Sequence, residues 1–326
     1  MRRLSARQER WPIDGAFTIA RGSKTEAQVV VVEIAQDGAR GHGESVPYAR
    51  YGESLAQTLA DIEAARDAIE AGCGREQLQT LMAAGAARNA VDCALWDLAA
   101  KTSGVRAWSE AGYAELRPVQ TAFTLSLGSP DSMAQAARAC ADRPLLKLKI
   151  GGPDDLDRVA AVRAAAPRAD LIVDANEALT FEDLVRLAPD FARLGVRLIE
   201  QPLKAGEDQA LEGFASPVML CADESLHTRA DLADCARRYA CVNIKLDKTG
   251  GLTEALAVSA EARARGLAVM AGCMVATSLA MAPAMIIAQD AAFVDLDGPL
   301  LLTRDRTPGL RFDGSTVEPP QPALWG

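Results

Sequence analysis

Five apolar runs, each closing on a charged residue at nearly equal intervals, limit this 326-residue chain more than any other feature. They end at Lys149, Asp174, Glu200, Asp223 and Lys245, in steps of 25, 26, 23 and 22 residues. Each step is the length of one strand plus one helix. Further runs at 267–271 and 293–297 continue the series, and a stretch at 119–127 precedes it. Between the runs, apolar residues recur at helical spacing, as in Leu156, Val159, Ala160 and Val162, or Leu184, Leu187, Ala188 and Phe191. Thr180 before Glu182 and Asp183, and Thr228 before Asp231, are helix-start signals. Strand-helix alternation implies a parallel sheet, and eight strands with seven helices predict a closed (β/α)7β barrel of TIM type. An open dinucleotide or P-loop sheet lacks support, since no Gly-x-Gly-x-x-Gly follows the first strand and no Walker-type loop occurs.

Residues 1–115 do not follow this period. A β-branched run at 29–34, the turn pair Asp37-Gly38, a return at 39–44 and a strand near 17–19 predict a small antiparallel sheet. Helical stretches at 55–71 and 86–101 follow, the second stopped by Gly104. The expectation is an N-terminal α+β capping domain, residues 1–115, completed by a returning tail at 298–326, with the barrel at 116–297. Two loops of the cap, 20–25 and 47–54, are rich in polar and aromatic residues, the kind of loop where binding groups concentrate.

Seven scattered cysteines without a Cys-x-x-Cys, no apolar leader and no membrane-length run point to a cytoplasmic protein without disulfides. A net charge of −9 with no basic face argues against nucleic acid as a partner. A membrane partner is not expected either, and homo-oligomer formation is left open.

In such a barrel the C-terminal ends of the strands meet on one face, where active sites form. Asp174, Glu200 and Asp223 then come from three consecutive strands. Three carboxylates so close cannot all stay ionised without a cation, and hard oxygen donors suit Mg²⁺. An acidic rim in solvent is the alternative. Lys147 and Lys149, two residues apart on one strand, share a face, and they lie on the other side of the carboxylates from Lys245. A lysine near both Mg²⁺ and another lysine is expected to have a lowered pKa and to take a proton at neutral pH. Bases on both faces of one carbon suggest racemisation.

The Lys-x-Lys strand, the Asp174, Glu200 and Asp223 spacing, Lys245-x-Asp247 and the N-terminal domain together resemble the enolase superfamily, in its muconate lactonizing subgroup, over almost the whole chain. Arg21-Gly22-Ser23, the 51–54 segment and the Asp295-Leu296-Asp297 ending resemble its dipeptide epimerases, which act on L-Ala-D/L-Glu. The resemblance implies one Mg²⁺ per subunit on Asp174, Glu200 and Asp223. It implies two-base proton transfer through an enediolate by Lys149 and Lys245, with Lys147 neutralising the substrate carboxylate. Asp297 with Asp295 would hold the substrate ammonium, Arg21 the glutamate side chain, and Asp247 would orient Lys245. Peptidoglycan recycling is the setting it suggests. Alternatives within the superfamily are an N-succinylamino acid racemase, an o-succinylbenzoate synthase or a muconate-type cycloisomerase. Outside it stand a Schiff-base aldolase and a barrel that only binds.

Overall fold

The computed structural model describes residues 1–152 and 155–326. The cap opens with three antiparallel strands, β1 (Arg3–Ile19), β2 (Gly22–Gln36) and β3 (Ala39–Ser45), with Asp37 and Gly38 turning the hairpin at positive φ. The sequence places only 17–19 in the first strand. Its N-terminal part, rich in Arg, Glu and Gln, lacks the apolar run that marks a strand, yet pairs with β2 through most of its length. Val30, Val32 and Ile34 face a core with Ile62, Ile69, Leu78, Val91 and Leu95.

The helix Ala86–Ser103 lies directly on β3 and ends at Gly104, in the left-handed conformation that favours glycine. The contact is backbone on backbone. A Cβ at Gly41 would strike Ala94 and Leu98, and one at Gly43 would strike Ala90, so the small residues on both elements set the spacing.

The next nine strands among the described residues are β4 (Val119–Gln120), β5 (Phe123–Leu125), β6 (Leu145–Lys149), β7 (Asp170–Asp174), β8 (Val196–Glu200), β9 (Met219–Ala222), β10 (Cys241–Ile244), β11 (Ala268–Ala271) and β12 (Phe293–Val294). From β5 to β12 they form one parallel sheet of eight strands in chain order. The ring closes between its ends: Ala122 N–H donates to the Val294 carbonyl at 2.8 Å, and Leu296 N–H to Thr121 Oγ1 at 2.8 Å.

Two departures from expectation have local causes. The stretch 119–127 is broken: β4 leaves the barrel to pair with Thr316–Val317 in a small antiparallel sheet with Phe312–Asp313, a partner nearly two hundred residues away. The crossover from β8 to β9 carries only a 3-10 turn, Gln209–Leu211, in place of a full helix, because Pro202, Gly206, Gly213 and Pro217 interrupt it. Elsewhere the helix signals hold, and Thr180 forms a reciprocal capping box with Asp183 ahead of Phe181–Arg193.

Alternate residues on the strands sort into two cores. Leu146, Leu148, Leu171, Val173, Ile199, Leu220, Val242, Ile244 and Val269 pack outward under the helices. Ile172, Leu198, Cys221, Cys241 and Met270 point inward and fill the barrel, all fully buried. The residue two places further along each strand also points inward, one layer higher. Those positions are Asp174, Glu200, Asp223, Asn243 and Gly272, so the plug ends where the charge begins. All seven cysteines are free thiols.

The chain end returns to the cap, with Trp325 Nε1 donating to the Cys93 carbonyl at 3.0 Å and Gly326 N–H to Asp97 Oδ1 at 2.8 Å. Among the described residues no helix is long and apolar enough to cross a membrane.

Candidate active site

The inward layer above the plug brings together nearly every charged residue singled out in the sequence. Register places Lys149 beside Asp174 and Asp174 beside Glu200. In a ring of eight, β6 and β10 stand four strands apart, so Lys149 and Lys245 project from opposite walls with the three carboxylates on the arc between them. Lys149 Nζ lies 2.5 Å from Asp174 Oδ2, and Lys245 Nζ 2.7 Å from Asp223 Oδ2. Lys147 Nζ touches Asp174 at 3.1 Å, Glu200 at 2.8 Å and Asp295 at 2.7 Å. Contact with strands on both sides of the ring puts this ammonium near the barrel axis.

These groups are buried, and their ionisation follows from their neighbours. Burial alone would raise Asp174, but Lys149 and Lys147 bring it below the usual carboxylate range. Burial is likewise outweighed at Asp223, which Lys245 and Lys248 hold far down. Glu200 goes the other way: burial and the negative charge of Asp174 push it up to about 7. Burial would lower Lys245, yet Asp223 and Glu200 hold it well above the ordinary lysine value. The lowering expected of a lysine base is therefore not found at Lys245, because the carboxylates around it pair with its ammonium.

The donor set fits a hard divalent cation. Asp174, Glu200 and Asp223 offer only carboxylate oxygens, and buried Glu200 Oε2 has no hydrogen bond despite the nearby Lys147 ammonium. Among the described residues no three acidic, His or Cys side chains converge tightly enough to hold an ion as they stand. Lys147 Nζ lies between Asp174 and Glu200, and Lys245 and Lys248 hold Asp223.

Asp295 and Asp297 follow the short β12. Asp295 Oδ1 is buried and unpartnered, while Asp297 accepts Thr124 N–H at 2.6 Å. Burial and the charge of Asp295 push Asp297 up to about 7. Both cap loops reach this mouth. Arg21 contacts Glu224 Oε1 at 2.7 Å, Glu177 Oε2 at 3.1 Å, the Asn176 carbonyl at 2.7 Å and Tyr48 OH at 3.2 Å. Arg50 forks onto Glu177 at 2.7 and 2.6 Å.

Asp247 does not do what was expected of it. It makes no hydrogen bond or ion pair with Lys245. Its Oδ1 accepts Val46 N–H at 2.8 Å and Asn89 Nδ2 at 2.9 Å. By Asp247 the chain has entered the short helix Leu246–Thr249, so the alternation that would keep it on the Lys245 face has ended, and it docks the post-β10 loop onto the cap.

Several site residues escaped the sequence reading. Lys248 Nζ contacts Asp223 Oδ1 at 2.6 Å, the Asp223 carbonyl and the Asn243 carbonyl at 3.0 Å. Asn243 Nδ2 donates to Glu200 Oε1 at 2.8 Å. Two residues before Lys245 on one strand, Asn243 was open to the same i, i+2 argument that joins Lys147 to Lys149. Gly272 makes room for it, since a Cβ there would collide with the Asn243 amide. Gly272→Ala is therefore expected to cost about 1–3 kcal/mol of stability through overpacking and to loosen Glu200. Thermal unfolding and turnover measured together check this; full activity at unchanged Tm would contradict it.

Comparison with known proteins settles the family. Residues 1–109 match the mandelate racemase / muconate lactonizing enzyme N-terminal domain, and 131–322 the enolase C-terminal domain-like family. The chain belongs to the enolase superfamily. Among curated relatives, the L-Ala-D/L-Glu epimerase of Escherichia coli is 48% identical, over 96% of this chain and 98% of that one. An N-acetyl-D-glutamate racemase from Pseudoalteromonas is 44% identical, over 91% and 95%. Among solved structures, an enolase family member from Agrobacterium tumefaciens with homology to dipeptide epimerases superposes with a TM-score of 0.99. It is 53% identical, with both chains fully covered, and carries bound sodium and L-Ala-L-Glu.

Proposed function

We propose that this enolase-superfamily enzyme is an isomerase acting on dipeptides, an epimerase of the L-Ala-D/L-Glu type that inverts the α-carbon of the C-terminal residue. The observation carrying the reading is the placement of Lys149 and Lys245 on opposite barrel walls, with two buried carboxylate oxygens in the layer between them: Asp295 Oδ1, which has no hydrogen bond, and Glu200 Oε2, which meets only the Lys147 ammonium. One divalent cation per subunit, Mg²⁺ by the hardness of the donors, would sit on Asp174, Glu200 and Asp223. Bound there, it would neutralise the substrate carboxylate and make the adjacent C–H more acidic.

The chain's own residues do the rest. The lysine on one wall takes the α-proton while the lysine opposite delivers a proton to the other face. Lys147, near the axis, adds positive charge where charge develops in the transition state. A lysine accepts a proton only as a free amine, so the carboxylate that holds it as an ammonium must first find another cationic partner. Asp295 and Asp297 are suited to the free ammonium of an N-terminal residue. Arg21 at the mouth is suited to an acidic side chain, in competition with Glu224.

The substrate class is tested at Asp297. Asp297→Asn keeps the shape, and its Oδ1 can still accept the Thr124 N–H. It removes a charged contact worth roughly 1.5–3 kcal/mol. The kcat/KM for L-Ala-L-Glu should fall by about tenfold to a hundredfold, while an N-acylated glutamate or N-succinyl amino acid, which has no ammonium to lose, should be little affected. Wild-type preference for the N-acylated substrate, or equal loss on both, would assign the site to an N-acylamino acid racemase.

A further inference from the structure

Glu200 and Asp223 end neighbouring strands, but the main-chain ladder between β8 and β9 stops short of Asp223. The last strand pair is Glu200 with Cys221, and Gln201 N–H then donates to the Cys221 carbonyl at 2.8 Å. Beyond that point the backbone cannot continue. Gln201 sits at φ 35°, a left-handed conformation uncommon for a residue with a side chain, and Pro202 has no N–H to give.

The Gln201 side chain takes over where the ladder fails. Its Oε1 accepts Asp223 N–H at 2.8 Å and Ser225 N–H at 3.1 Å. Its Nε2 shares two hydrogens among the Leu203 carbonyl at 2.8 Å, Ser225 Oγ at 2.9 Å and Tyr239 OH at 3.0 Å. Two N–H donors at one end and a carbonyl at the other leave a single orientation for the amide. Ser225 Oγ and Tyr239 OH both donate onward to Asp208 Oδ2 at 2.7 Å, and Arg238 contacts Asp208 Oδ1 at 3.0 Å. Gln201 and Asp208 have no solvent exposure.

We infer that Gln201, backed by Tyr239 and Asp208, is a positioning residue that fixes the separation of the Glu200 and Asp223 carboxylates and thereby the affinity of the cation site. Its side-chain hydrogen bonds go to Leu203, Asp223 N–H, Ser225 and Tyr239, and to none of the three carboxylates. Its main chain extends Glu200 and its side chain holds the backbone of Asp223, whose carboxylate pairs with both Lys245 and Lys248. The inference rests on the cation assignment above and not on the dipeptide.

Mn²⁺ binding to the metal-free folded enzyme, titrated by electron paramagnetic resonance without substrate, is the test. Gln201→Met removes every side-chain hydrogen bond at similar length and should raise the Mn²⁺ Kd by about tenfold to a hundredfold, the usual effect of losing support behind metal ligands. Tyr239→Phe, which removes one acceptor from Gln201 Nε2 and one donor to Asp208, should raise it severalfold. Ile62→Val, a cap-core change far from the barrel mouth, lowers stability without touching the network and should leave the Kd unchanged. A wild-type Kd in folded Gln201→Met overturns the inference. If that variant does not fold, an unchanged Kd in Tyr239→Phe overturns it, as does an equal shift in Ile62→Val. A wild type that binds no Mn²⁺ removes the cation assignment and this inference together.

Discussion

Lys245→Met should abolish epimerisation, with a fall in turnover on the order of 10²–10⁴, the usual contribution of a positioned acid or base. The loss should be selective. Lys149 remains on the opposite wall, 2.5 Å from Asp174, and should still serve one face of the α-carbon. One epimer should therefore exchange its α-proton with solvent while the other does not. Lys149→Met should show the same pattern with the epimers reversed. Methionine preserves stem length and packing, so the buried wall stays filled. Exchange of both epimers at the wild-type rate in either variant would rule out the two-base arrangement; loss of exchange for both epimers in both variants would mean that each lysine is needed for every proton transfer.

Glu200→Gln should silence the enzyme without unfolding it. The amide can keep the 2.8 Å bond from Asn243 Nδ2, and it relieves the burial and repulsion by Asp174 that push the Glu200 carboxyl up to about 7. Tm should hold or rise. Losing one of three anionic oxygen donors should lower cation affinity more than the tenfold to hundredfold typical of a group behind a ligand, and kcat/KM should fall accordingly. Turnover in a chelated, metal-free wild-type sample would contradict the cation assignment itself.

The barrel and most of its charged layer were readable because two periods coincide. The roughly 24-residue βα step puts one strand end after another on a single rim, and the period of two within each strand decides which side chains point inward. Asp174, Glu200, Lys147, Lys149 and Lys245 all obey both rules, so their meeting follows from spacing alone. Reading fails where a residue leaves the strand. Asp247 belongs to a helix, and its partners, Val46 and Asn89, lie some two hundred and one hundred and sixty residues away. Gln201 owes its role to a left-handed backbone that no side-chain pattern announces. Lys248 reaches Asp223 from the first turn after β10, where strand alternation does not apply. The broken strand at 119–127 was illegible for a similar reason: Thr121 and Ala122 turn to close the barrel while Val119 and Gln120 pair with the chain end.

This chain is expected to invert the C-terminal α-carbon of a dipeptide by moving its proton between two walls of the barrel. Wild-type enzyme with Mg²⁺ and L-Ala-L-Glu in deuterated water, followed by proton NMR, tests it most directly. The glutamate α-proton signal should disappear, the L-Ala-D-Glu diastereomer should appear carrying deuterium, and the alanine α-proton should stay untouched. Exchange at alanine, or an inert dipeptide alongside rapid racemisation of an N-acylated glutamate, would contradict it.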